Sequence, residues 1–490
     1  MKFTNGFWLV RDEFQADYVR DIYEVEEREN ELLAFAPYKQ IQGRGDTLNI
    51  GMMTYTFTAP AKDILGIHMV NHAGNYVKSP SFELYGDLDK SPERKCEKAS
   101  GKEKWTLKSG KLSLEFETGS PEMKFYGDGR ELTCIKSKTT GMMHHKQGMN
   151  YLVSGLNLGV GELVYGLGER FTPMVKNGQT VDIWNEDGGT ASEISYKNIP
   201  FYYTTKGYGV FVNHPGRVSF EVGSEKVETV QFSVEDEELE YFVIYGPTPL
   251  EIIEKYTALT GRPALPPKWS FGLWLTTSFT TNYDEATVNS FIDGFEQRHI
   301  PLSVFHFDCF WMKGFEWCNF TWDKDMFPDP AGMLERFHKR GLKICVWINP
   351  YIAQKSPLFG EAMEKGYLLM KDNGRVWQWD MWQAGMGLVD FTNPDACSWY
   401  QSKLKALLDV GVDCFKTDFG ERVPTNVKWF DGSDPEKMHN YYTYLYNQCV
   451  FELLKKEKGE SEAVLFARSA APGGQKFPVH WGGDSTSQYI

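Results

Sequence analysis

Several features that define whole classes of proteins are missing from this sequence. It has no run of 18 apolar residues, and the N-terminal segment meets charge at Arg11 and Asp12 before an apolar stretch of useful length develops. We therefore expect neither a membrane span nor an export signal. Basic residues are in deficit, with 52 Lys and Arg against 66 Asp and Glu, for a net charge of -14. This balance argues against a nucleic-acid or anionic-membrane partner, since both require a cationic face.

The eight cysteines show no pattern typical of disulfide frameworks or zinc sites. They are scattered without CxxC or zinc-like spacing, and several lie in apolar, strand-like runs. We interpret them as reduced thiols of a cytoplasmic protein. GxSxG, Walker A and HExxH motifs are also missing, and the pair His144-His145 lacks a third ligand at useful spacing. We expect no metal ion and no cofactor.

What the chain has in quantity is length and aromatic side chains. Its 490 residues predict about three domains, or two larger ones, with a sizeable buried core. Aromatic residues make up 15% of the chain and include 15 Trp and 25 Tyr. Such side chains pack cores and also offer flat apolar faces with a polar tip, so a neutral ligand suits this composition better than a charged one. A homo-oligomer is compatible with the sequence.

The first half of the chain has the period of β-strands. Up to about residue 246, short alternating stretches such as 54–57 and 112–117 are separated by Gly, Asn, Asp and Pro turns. This pattern predicts an antiparallel β-sandwich over residues 1–246. A helical connector from Pro249 to Gly261 follows, and we take the proline-rich stretch 262–267 as the stop that separates the two domains.

In the second half, residues 247–490, apolar strands alternate with amphipathic helices. The pairs Asp329-Pro330 and Asp434-Pro435 are typical helix starts, and a third helix begins at Pro394. A segment at about 366–390, rich in Trp and Gly, fits neither period and is interpreted as an insertion. Repeated β-α units give an open doubly wound sheet or a (β/α)8 TIM barrel, and the lack of GxGxxG after the first strand favours the barrel. The predicted strands are 271–277, 301–308, 342–350, 411–419, 463–469 and 479–484.

Six strands fall short of the eight that close such a barrel. We therefore expect a barrel truncated after about six strands. Two open sheet edges and exposed apolar helix faces would then predict poor solubility or dependence on a further segment.

Ionisable side chains mark the ends of the predicted barrel strands, where barrel enzymes carry their chemistry. They are Asp308, Asp418, Arg468 and Asp484, with Trp347 and Asn349 at the third strand. A single Asp at a strand end is more often a turn or N-cap residue, but several together favour a site. Period two places Lys416 and Asp418 on one face, and the Lys cation would keep Asp418 ionised, as a nucleophile requires.

Asp484 follows the aromatic Trp481 in a glycine-containing turn, where partial desolvation would raise its pKa and suit it to donate a proton. Two carboxylates with opposite protonation needs are the minimum for cleaving a glycosidic bond. Cys309 and Cys345 are alternative nucleophiles in principle, but no His is placed in the sequence as a partner, and we interpret them as structural thiols.

Six motifs are spread over nearly the whole chain, four in the barrel half and two in the β half: 306–312, 346–350, 415–422, 480–484, 165–171 and 184–190. Together they closely resemble glycoside hydrolase family 31, in particular its bacterial α-xylosidases. The resemblance implies a galactose-mutarotase-like β-sandwich followed by a catalytic barrel, with an oligosaccharide as substrate.

The resemblance also implies roles for individual residues. Asp418 matches the family's nucleophile, Asp484 its acid/base, and Glu421 an acidic residue counted with the active site. The family retains anomeric configuration through a glycosyl-enzyme. The residues implied to hydrogen-bond to or stack on the sugar are Asp308, Trp347, Lys416 and Arg468. Asp187 matches a residue on a loop that, in relatives, reaches from the β-sandwich into the barrel mouth. Trp481 lies where a neutral sugar would be bound.

Substrate choice in this family depends on space near C5 of the sugar, where glucose carries a hydroxymethyl group and xylose only hydrogens. Cys309-Phe310 and Phe279 resemble the α-xylosidase arrangement, in which bulky groups exclude glucose. The sequence therefore predicts release of terminal α-D-xylosyl residues from xylosides such as xyloglucan oligosaccharides. The alternatives are an α-glucosidase of the same family and an inactive carbohydrate-binding fragment. The relatives also use a later His that has no counterpart here.

Overall fold

The structure is a computed structural model that describes residues 1–6, 9–86, 92–99, 101–187, 192–281 and 284–484. The described residues fall into two compact units. The first comprises most of residues 1–262. The second comprises residues from 263 onward together with two short segments around Lys78 and Asp187. None of the helices in the described ranges is long and apolar enough to cross a membrane.

The first unit is built from antiparallel strands, as the period-two pattern predicts. Its strands are β1 (Thr4–Asn5), β2 (Leu9–Val10), β3 (Phe14–Tyr18), β4 (Glu24–Glu27), β5 (Glu31–Pro37), β6 (Met52–Ala61), β7 (Ile64–Val70), β8 (Glu93–Ala99), β9 (Lys102–Ser109), β10 (Leu112–Glu117), β11 (Met123–Gly127), β12 (Arg130–Ile135), β13 (Gly141–His145), β14 (Asn150–Asn157), β15 (Val164–Gly166), β16 (Gln179–Ile183), β17 (Phe201–Thr204), β18 (Tyr208–Val212), β19 (Val218–Val222), β20 (Thr229–Val234) and β21 (Glu238–Tyr245).

Two large sheets of this unit share one apolar core. One sheet has the order β16-β19-β20-β14-β13-β3 and the other β15-β17-β18-β21-β7-β6-β5-β4, with a further five-stranded sheet β12-β11-β10-β9-β8 beside them in sequence. Phe232 of β20 meets Tyr241 of β21 with ring centroids 5.0 Å apart, and Tyr202 of β17 meets Phe220 of β19 at 6.2 Å. Because each pair joins the two sheets, the predicted sandwich is confirmed.

Helix α1 (Pro249–Thr260) closes the first unit and matches the predicted connector. Thr248 caps its start by accepting a hydrogen bond from the backbone N–H of Glu251, and Pro249 occupies the first helical position. The helix ends at Gly261, whose φ of 106° is open to glycine and strained for other residues. Its buried face includes Tyr256, which stacks on Phe201 at 4.1 Å.

The second unit is a parallel sheet whose strands alternate with helices. The sheet order is β22-β23-β24-β28-β29, and every pair in it is parallel. The elements in chain order are β22 (Trp274–Leu275), α2 (Glu285–Gln297), β23 (Val304–Phe307), α3 (Pro330–Lys339), β24 (Lys343–Ile348), β25 (Tyr351–Ala353), α4 (Leu358–Glu364), β26 (Gln378–Trp379), β27 (Met386–Leu388), α5 (Pro394–Asp409), β28 (Cys414–Thr417), α6 (Pro435–Lys458) and β29 (Leu465–Ala467).

The predicted helix starts are confirmed. Asp329 and Asp434 accept hydrogen bonds from the backbone N–H groups of the first turns of α3 and α6, and Asn393 does the same for α5. Each helix has Pro in its first turn, where the missing N–H costs nothing. The helices are amphipathic as predicted, and apolar side chains such as Tyr400 and Leu404 of α5 are buried.

Two of the six predicted strands are wrong in extent. The first, 271–277, is reduced to β22, because residues 268–271 form a 3-10 turn. The sixth, 479–484, is shortened to a parallel pairing of residues 478–481 with β29, in which His480 is the bridge partner of Ala467. The backbone N–H of Trp481 still donates to the carbonyl of Ala467 at 2.8 Å. The N–H groups of Leu465 and Ala467 likewise donate to the carbonyls of Pro478 and Val479 at 2.8 Å, and the pairing ends before Gly482-Gly483, which disfavour an extended strand.

A three-stranded antiparallel sheet, β25-β27-β26, lies between β24 and α5. It overlaps the Trp-rich segment that the sequence marks as an insertion. The domain boundary at residue 246 and the limits of the insertion at 366–390 stay predictions.

Candidate active site

The carboxyl ends of the parallel strands bring the predicted site residues to one edge of the sheet. Trp347 of β24 is the register partner of Lys416 of β28. Asp308, Asp418 and Arg468 directly follow β23, β28 and the last strand, β29, near this edge. Since neighbouring parallel strands end together, residues far apart in sequence become neighbours here.

Asp418 is a buried carboxylate held by three groups. Its Oδ2 accepts a hydrogen bond from Trp347 Nε1 at 2.7 Å, and its Oδ1 lies 3.6 Å from Arg468 Nη1. Burial alone would raise the pKa of Asp418, but the Lys416 and Arg468 cations and the Trp347 hydrogen bond outweigh it. The pKa therefore lies below its usual value, and the carboxylate is ionised at neutral pH.

Arg468 gathers four acidic side chains around one guanidinium. Its Nη1 pairs with Asp484 Oδ2 at 2.5 Å in addition to Asp418. Its Nη2 pairs with Asp187 Oδ1 at 2.6 Å and with Glu421 Oε1 at 3.1 Å. We call Arg468 with these four acids the Arg468 cluster. The arginine is 5% exposed, so these charges interact with little screening by water.

Asp484 differs from Asp418 in environment. Its side chain is 45% exposed, and partial burial raises its pKa, with repulsion from Asp418 adding to the shift and the Arg468 cation opposing it. The Oδ2 of Asp484 and the Oδ1 of Asp418 lie 2.5 and 3.6 Å from the same Nη1 of Arg468, so these two oxygens are at most about 6 Å apart. The pKa of one carboxyl is thus lowered and that of its neighbour is raised.

Glu421 lies fully buried beside this pair. Burial raises its pKa to about 7, and the charges of Asp418 and Asp187 act in the same direction against the Arg468 cation. The side chain therefore titrates near neutral pH inside the Arg468 cluster.

Asp308, Lys416 and Trp481 form the other side of the site. Asp308 Oδ1 accepts from the backbone N–H of Cys309 at 2.7 Å, and its Oδ2 lies 3.9 Å from Lys416 Nζ. Burial raises the pKa of Asp308 although Lys416 opposes the shift. The Lys416 ammonium also lies over the Trp481 ring, 4.4 Å from its centroid. The predicted face of Lys416 and Asp418 thus carries an ammonium, two carboxyls and an aromatic ring.

Asp187 is held from two sides. Besides the Arg468 pair, its Oδ2 lies 3.2 Å from Arg422 Nη2. Arg422 lies on the loop after β28, so two arginines fix both carboxylate oxygens of Asp187. The motif residues 188–190 lie outside the described residues.

The three residues predicted to set sugar size lie in different surroundings. Cys309 is 2% exposed, and burial above all raises the pKa of its thiol, which argues against a thiolate nucleophile. Phe310 is 38% exposed and meets Trp317 edge-on at 5.4 Å. Phe279 lies in the turn after β22 with 64% of its surface exposed.

Sequence reasoning missed an aromatic wall next to Trp347. Trp382 contacts Trp347 at 5.1 Å, Trp317 at 4.7 Å and Phe419 at 5.3 Å between ring centroids. A cavity of about 210 Å³ opens beside this wall and is lined by Asp187, Tyr351, Trp379, Met381, Trp382, Met386, Phe419 and Arg422. The signal in the sequence was the Trp-rich segment at 366–390, which has no periodicity to indicate where its rings lie.

Two family models match the chain. The glycosyl hydrolases family 31 TIM-barrel domain matches residues 263–490, and the glycosyl hydrolase 31 N-terminal galactose mutarotase-like domain matches residues 54–221. The predicted order, a mutarotase-like β domain and then a TIM-barrel domain, is confirmed at this level.

Two curated relatives are similar to the chain over nearly its whole length. The α-xylosidase XylQ of Lactiplantibacillus pentosus is 55% identical over 96% of this chain and 61% of the relative, and an α-xylosidase of Emericella nidulans is 50% identical over 100% of this chain and 65% of the relative. The chain thus spans less than two thirds of the length of these relatives.

Solved structures share the fold at low identity. A family 31 dextranase of Flavobacterium johnsoniae complexed with isomaltotriose has a TM-score of 0.84 at 23% identity, covering 96% of this chain and 57% of that one. A family 31 α-xylosidase from a soil metagenome complexed with xylose has a TM-score of 0.77 at 19% identity, covering 95% and 68%. The family models match most of the chain and two curated relatives are at least 50% identical to it, so the chain belongs to glycoside hydrolase family 31.

Proposed function

We propose that this chain carries the active site of an α-xylosidase that releases terminal α-D-xylosyl residues from xylosides such as xyloglucan oligosaccharides. The observation that carries the proposal is the pair Asp418 and Asp484 on the guanidinium of Arg468, with pKa values moved in opposite directions. The identity of 55% and 50% to two α-xylosidases supports the choice of substrate.

Asp418 acts as the nucleophile and Asp484 as the acid/base. The ionised Asp418 attacks the anomeric carbon while Asp484 protonates the departing glycosidic oxygen, which leaves a glycosyl-enzyme ester. Asp484, now a carboxylate, takes a proton from water, and the water oxygen displaces Asp418. Two displacements retain the anomeric configuration. An oxygen separation of at most about 6 Å supports this route, since inverting enzymes hold their carboxyl groups roughly 6.5–9.5 Å apart.

The remaining residues would bind the sugar. Asp308 and Asp187 present carboxylate oxygens to hydroxyl groups, Lys416 and Arg468 present donors, and Trp347 and Trp481 present apolar rings. Glu421 titrates near neutral pH, and its protonation state therefore sets the net charge of the acidic groups around Arg468. Cys309, Phe310 and Phe279 would occupy the volume that the hydroxymethyl group of glucose needs, and this excludes glucosides by steric clash.

Comparing kcat/KM for p-nitrophenyl α-xyloside and p-nitrophenyl α-glucoside on the 490-residue chain tests substrate and activity together. We expect a preference for the xyloside of roughly tenfold or more, the range that one small substituent supplies in a tight pocket. A tenfold preference for the glucoside would support the α-glucosidase alternative.

Asp418→Asn is the matched variant, because it preserves shape and removes the negative charge. It should abolish turnover while xylose still protects the protein against thermal unfolding. Xylose protection in both proteins without turnover in either would support the carbohydrate-binding alternative.

We also propose a cytoplasmic location and assembly of the chain as a homo-oligomer. All eight cysteines are free thiols, which supports a reducing compartment. Fractionation with compartment markers tests the location, and light scattering of the purified chain decides between a monomer and a homo-oligomer.

A further inference from the structure

His439 lies in the second turn of α6 and is 5% exposed. Its Nδ1 lies 2.6 Å from the carbonyl oxygen of Val423, and its Nε2 lies 2.7 Å from the carbonyl oxygen of Asn185. Both distances are those of hydrogen bonds. Each ring nitrogen therefore faces a group that can only accept a hydrogen bond.

A neutral imidazole has one N–H and one nitrogen lone pair. It could donate to one of these carbonyls, but its lone pair would then face the lone pairs of the other at hydrogen-bond distance. Only the imidazolium, which has two N–H groups, satisfies both contacts. The geometry thus selects the charged form of a buried histidine, and an acceptor on each side supports that charge.

The two carbonyls belong to the segments that carry site residues. Asn185 precedes Asp187 by two positions, and Val423 directly follows Arg422, which pairs with Asp187. The neighbouring Asn440 accepts from the backbone N–H of Asn185 at 2.8 Å through its Oδ1. Consecutive side chains of α6 thus hold both backbone groups of Asn185, whose residue is fully buried.

Charged groups on the elements around His439 include acids and cations in similar numbers. The Asn185 segment carries Glu186 and Asp187, the loop after β28 carries Glu421 and Arg422, α6 itself carries Glu436 and Lys437, and Arg468 follows β29 and pairs with both Asp187 and Glu421. Because Glu421 titrates near pH about 7, these charges nearly balance, and the two carbonyl acceptors decide the charge of His439.

We propose that His439 is a positioning residue that works as an imidazolium, joining the Asp187 segment to the loop after β28, and that loss of its proton loosens Asp187. This rests on the proposed function for its kinetic consequence, since Asp187 binds sugar there. The protonation state of His439 does not rest on it. Because the proton is required, binding of the xyloside weakens as the pH rises through the pKa of His439.

Long-range proton–nitrogen NMR of the 490-residue chain labelled with [15N]histidine tests the charged state directly. The chain has ten histidines, and the His439→Gln variant assigns the resonances that disappear. Should that variant fail to fold, His439→Asn serves for assignment. We expect both ring nitrogens of His439 to be protonated at pH about 7.5, above the ordinary histidine pKa of about 6.5. A neutral tautomer at this pH would overturn the proposal whether or not the chain hydrolyses xylosides.

The kinetic arm uses the pH dependence of KM and kcat for p-nitrophenyl α-xyloside. In the native chain, KM should rise roughly tenfold as His439 loses its proton, the size of effect expected when one charged hydrogen bond is lost. In His439→Gln, KM should start high and lack this rise. Asn440→Ala should raise KM at every pH and keep the rise, since it removes a contact and no titrating group.

His338→Gln is the matched control, because His338 pairs with Asp413 at the amino end of β28, away from the strand ends that carry the site. This variant should keep the native pH dependence. If the rise in KM persists unchanged in His439→Gln, His439 is not its cause and the proposal fails. If xylosides are not turned over while NMR finds the imidazolium, the proposed function fails and the assignment of the charge stands.

Discussion

At the scale of single residues, Trp347 connects the aromatic wall to Asp418, the proposed nucleophile. Replacing it by Phe keeps most of the ring volume and removes the Nε1 hydrogen bond to Asp418 Oδ2. We expect kcat/KM to fall roughly tenfold or more, because a hydrogen bond to a charged group contributes about 1.5–3 kcal/mol. The pKa of Asp418 should rise, and since activity requires the ionised form, the acidic limb of the pH–kcat/KM profile should move to higher pH.

Trp322→Phe is the control for that variant. Trp322 is buried in the same core, and among the described residues its Nε1 has no hydrogen-bond partner. It should leave the acidic limb where it is. A Trp347→Phe profile that coincides with the native one would show that the hydrogen bond does not set the charge of Asp418.

The raised pKa of Glu421 predicts that the stability of the fold depends on pH. Its pKa rises from 4.5 to about 7 on burial, so the folded state binds a proton more tightly than the unfolded state. The stabilisation is complete below pH about 4.5 and is lost as the pH rises through about 7. Relative to Glu421→Gln, the native chain should lose about 3 kcal/mol of unfolding free energy across this window, measured by urea denaturation.

The exposed Glu460 provides the comparison for that titration. Glu460→Gln should change the unfolding free energy by no more than about 0.5 kcal/mol at either pH. A constant difference between the native chain and Glu421→Gln from pH 4 to 8 would contradict a raised pKa at Glu421.

The position of a single side chain could be predicted from the sequence where local spacing along one strand determines it. The alternation in β28 puts Lys416 and Asp418 on one face, and the strand ends placed Asp308, Trp347 and Arg468 at one edge. Asp187 and Arg468 pair although they are 281 residues apart in the sequence, and no local period encodes a contact over that separation. The contacts of Trp382 were missed for the same reason.

At the scale of elements, the cap of α3 is predicted to contribute to stability only. Asp329→Ala removes the acceptor for the backbone N–H of Gly332, 3.1 Å away, and should cost about 1 kcal/mol of unfolding free energy. Asp329→Asn should retain most of that, because Asn caps as well as Asp. Equal losses in both variants, measured by urea denaturation, would show that charge and not the cap is responsible.

Helices were easier to predict than strands in this chain. Pro in the first turn after a polar cap fixes a helix start by rules that act over four residues, and α1, α3, α5 and α6 all follow them. Strand ends depend on partners elsewhere in the chain. The segment 479–484 has the apolar character of a strand, but its pairing with β29 stops at Trp481, before Gly482-Gly483.

At the scale of the molecule, the charge of -14 predicts how the rate responds to salt. A neutral xyloside gains nothing from the long-range field of an acidic protein, so kcat/KM should change less than about twofold between roughly 50 and 500 mM NaCl. A steep dependence on salt would indicate a charged substrate and would contradict the proposed one. p-Nitrophenyl α-glucoside, if turned over, provides a second neutral probe.

The order of the two domains could be predicted because each half has its own period, two in the first and strand–helix in the second. The family models match that order over residues 54–221 and 263–490. The number of barrel strands could not be obtained from pattern alone, since a short strand such as β22 has only two residues to show a period.

The Arg468 cluster has a consequence for inhibitor design. With Asp308 it brings five acidic groups near three cations, Arg468, Lys416 and Arg422, so full ionisation leaves an excess of negative charge around the proposed place of the anomeric carbon. A neutral sugar makes no use of that excess. A xylose-shaped ring with a protonated nitrogen at the anomeric position would be attracted by it. The best scaffolds for blocking this site are therefore basic heterocycles, and their potency should increase with the number of carboxyls that are ionised.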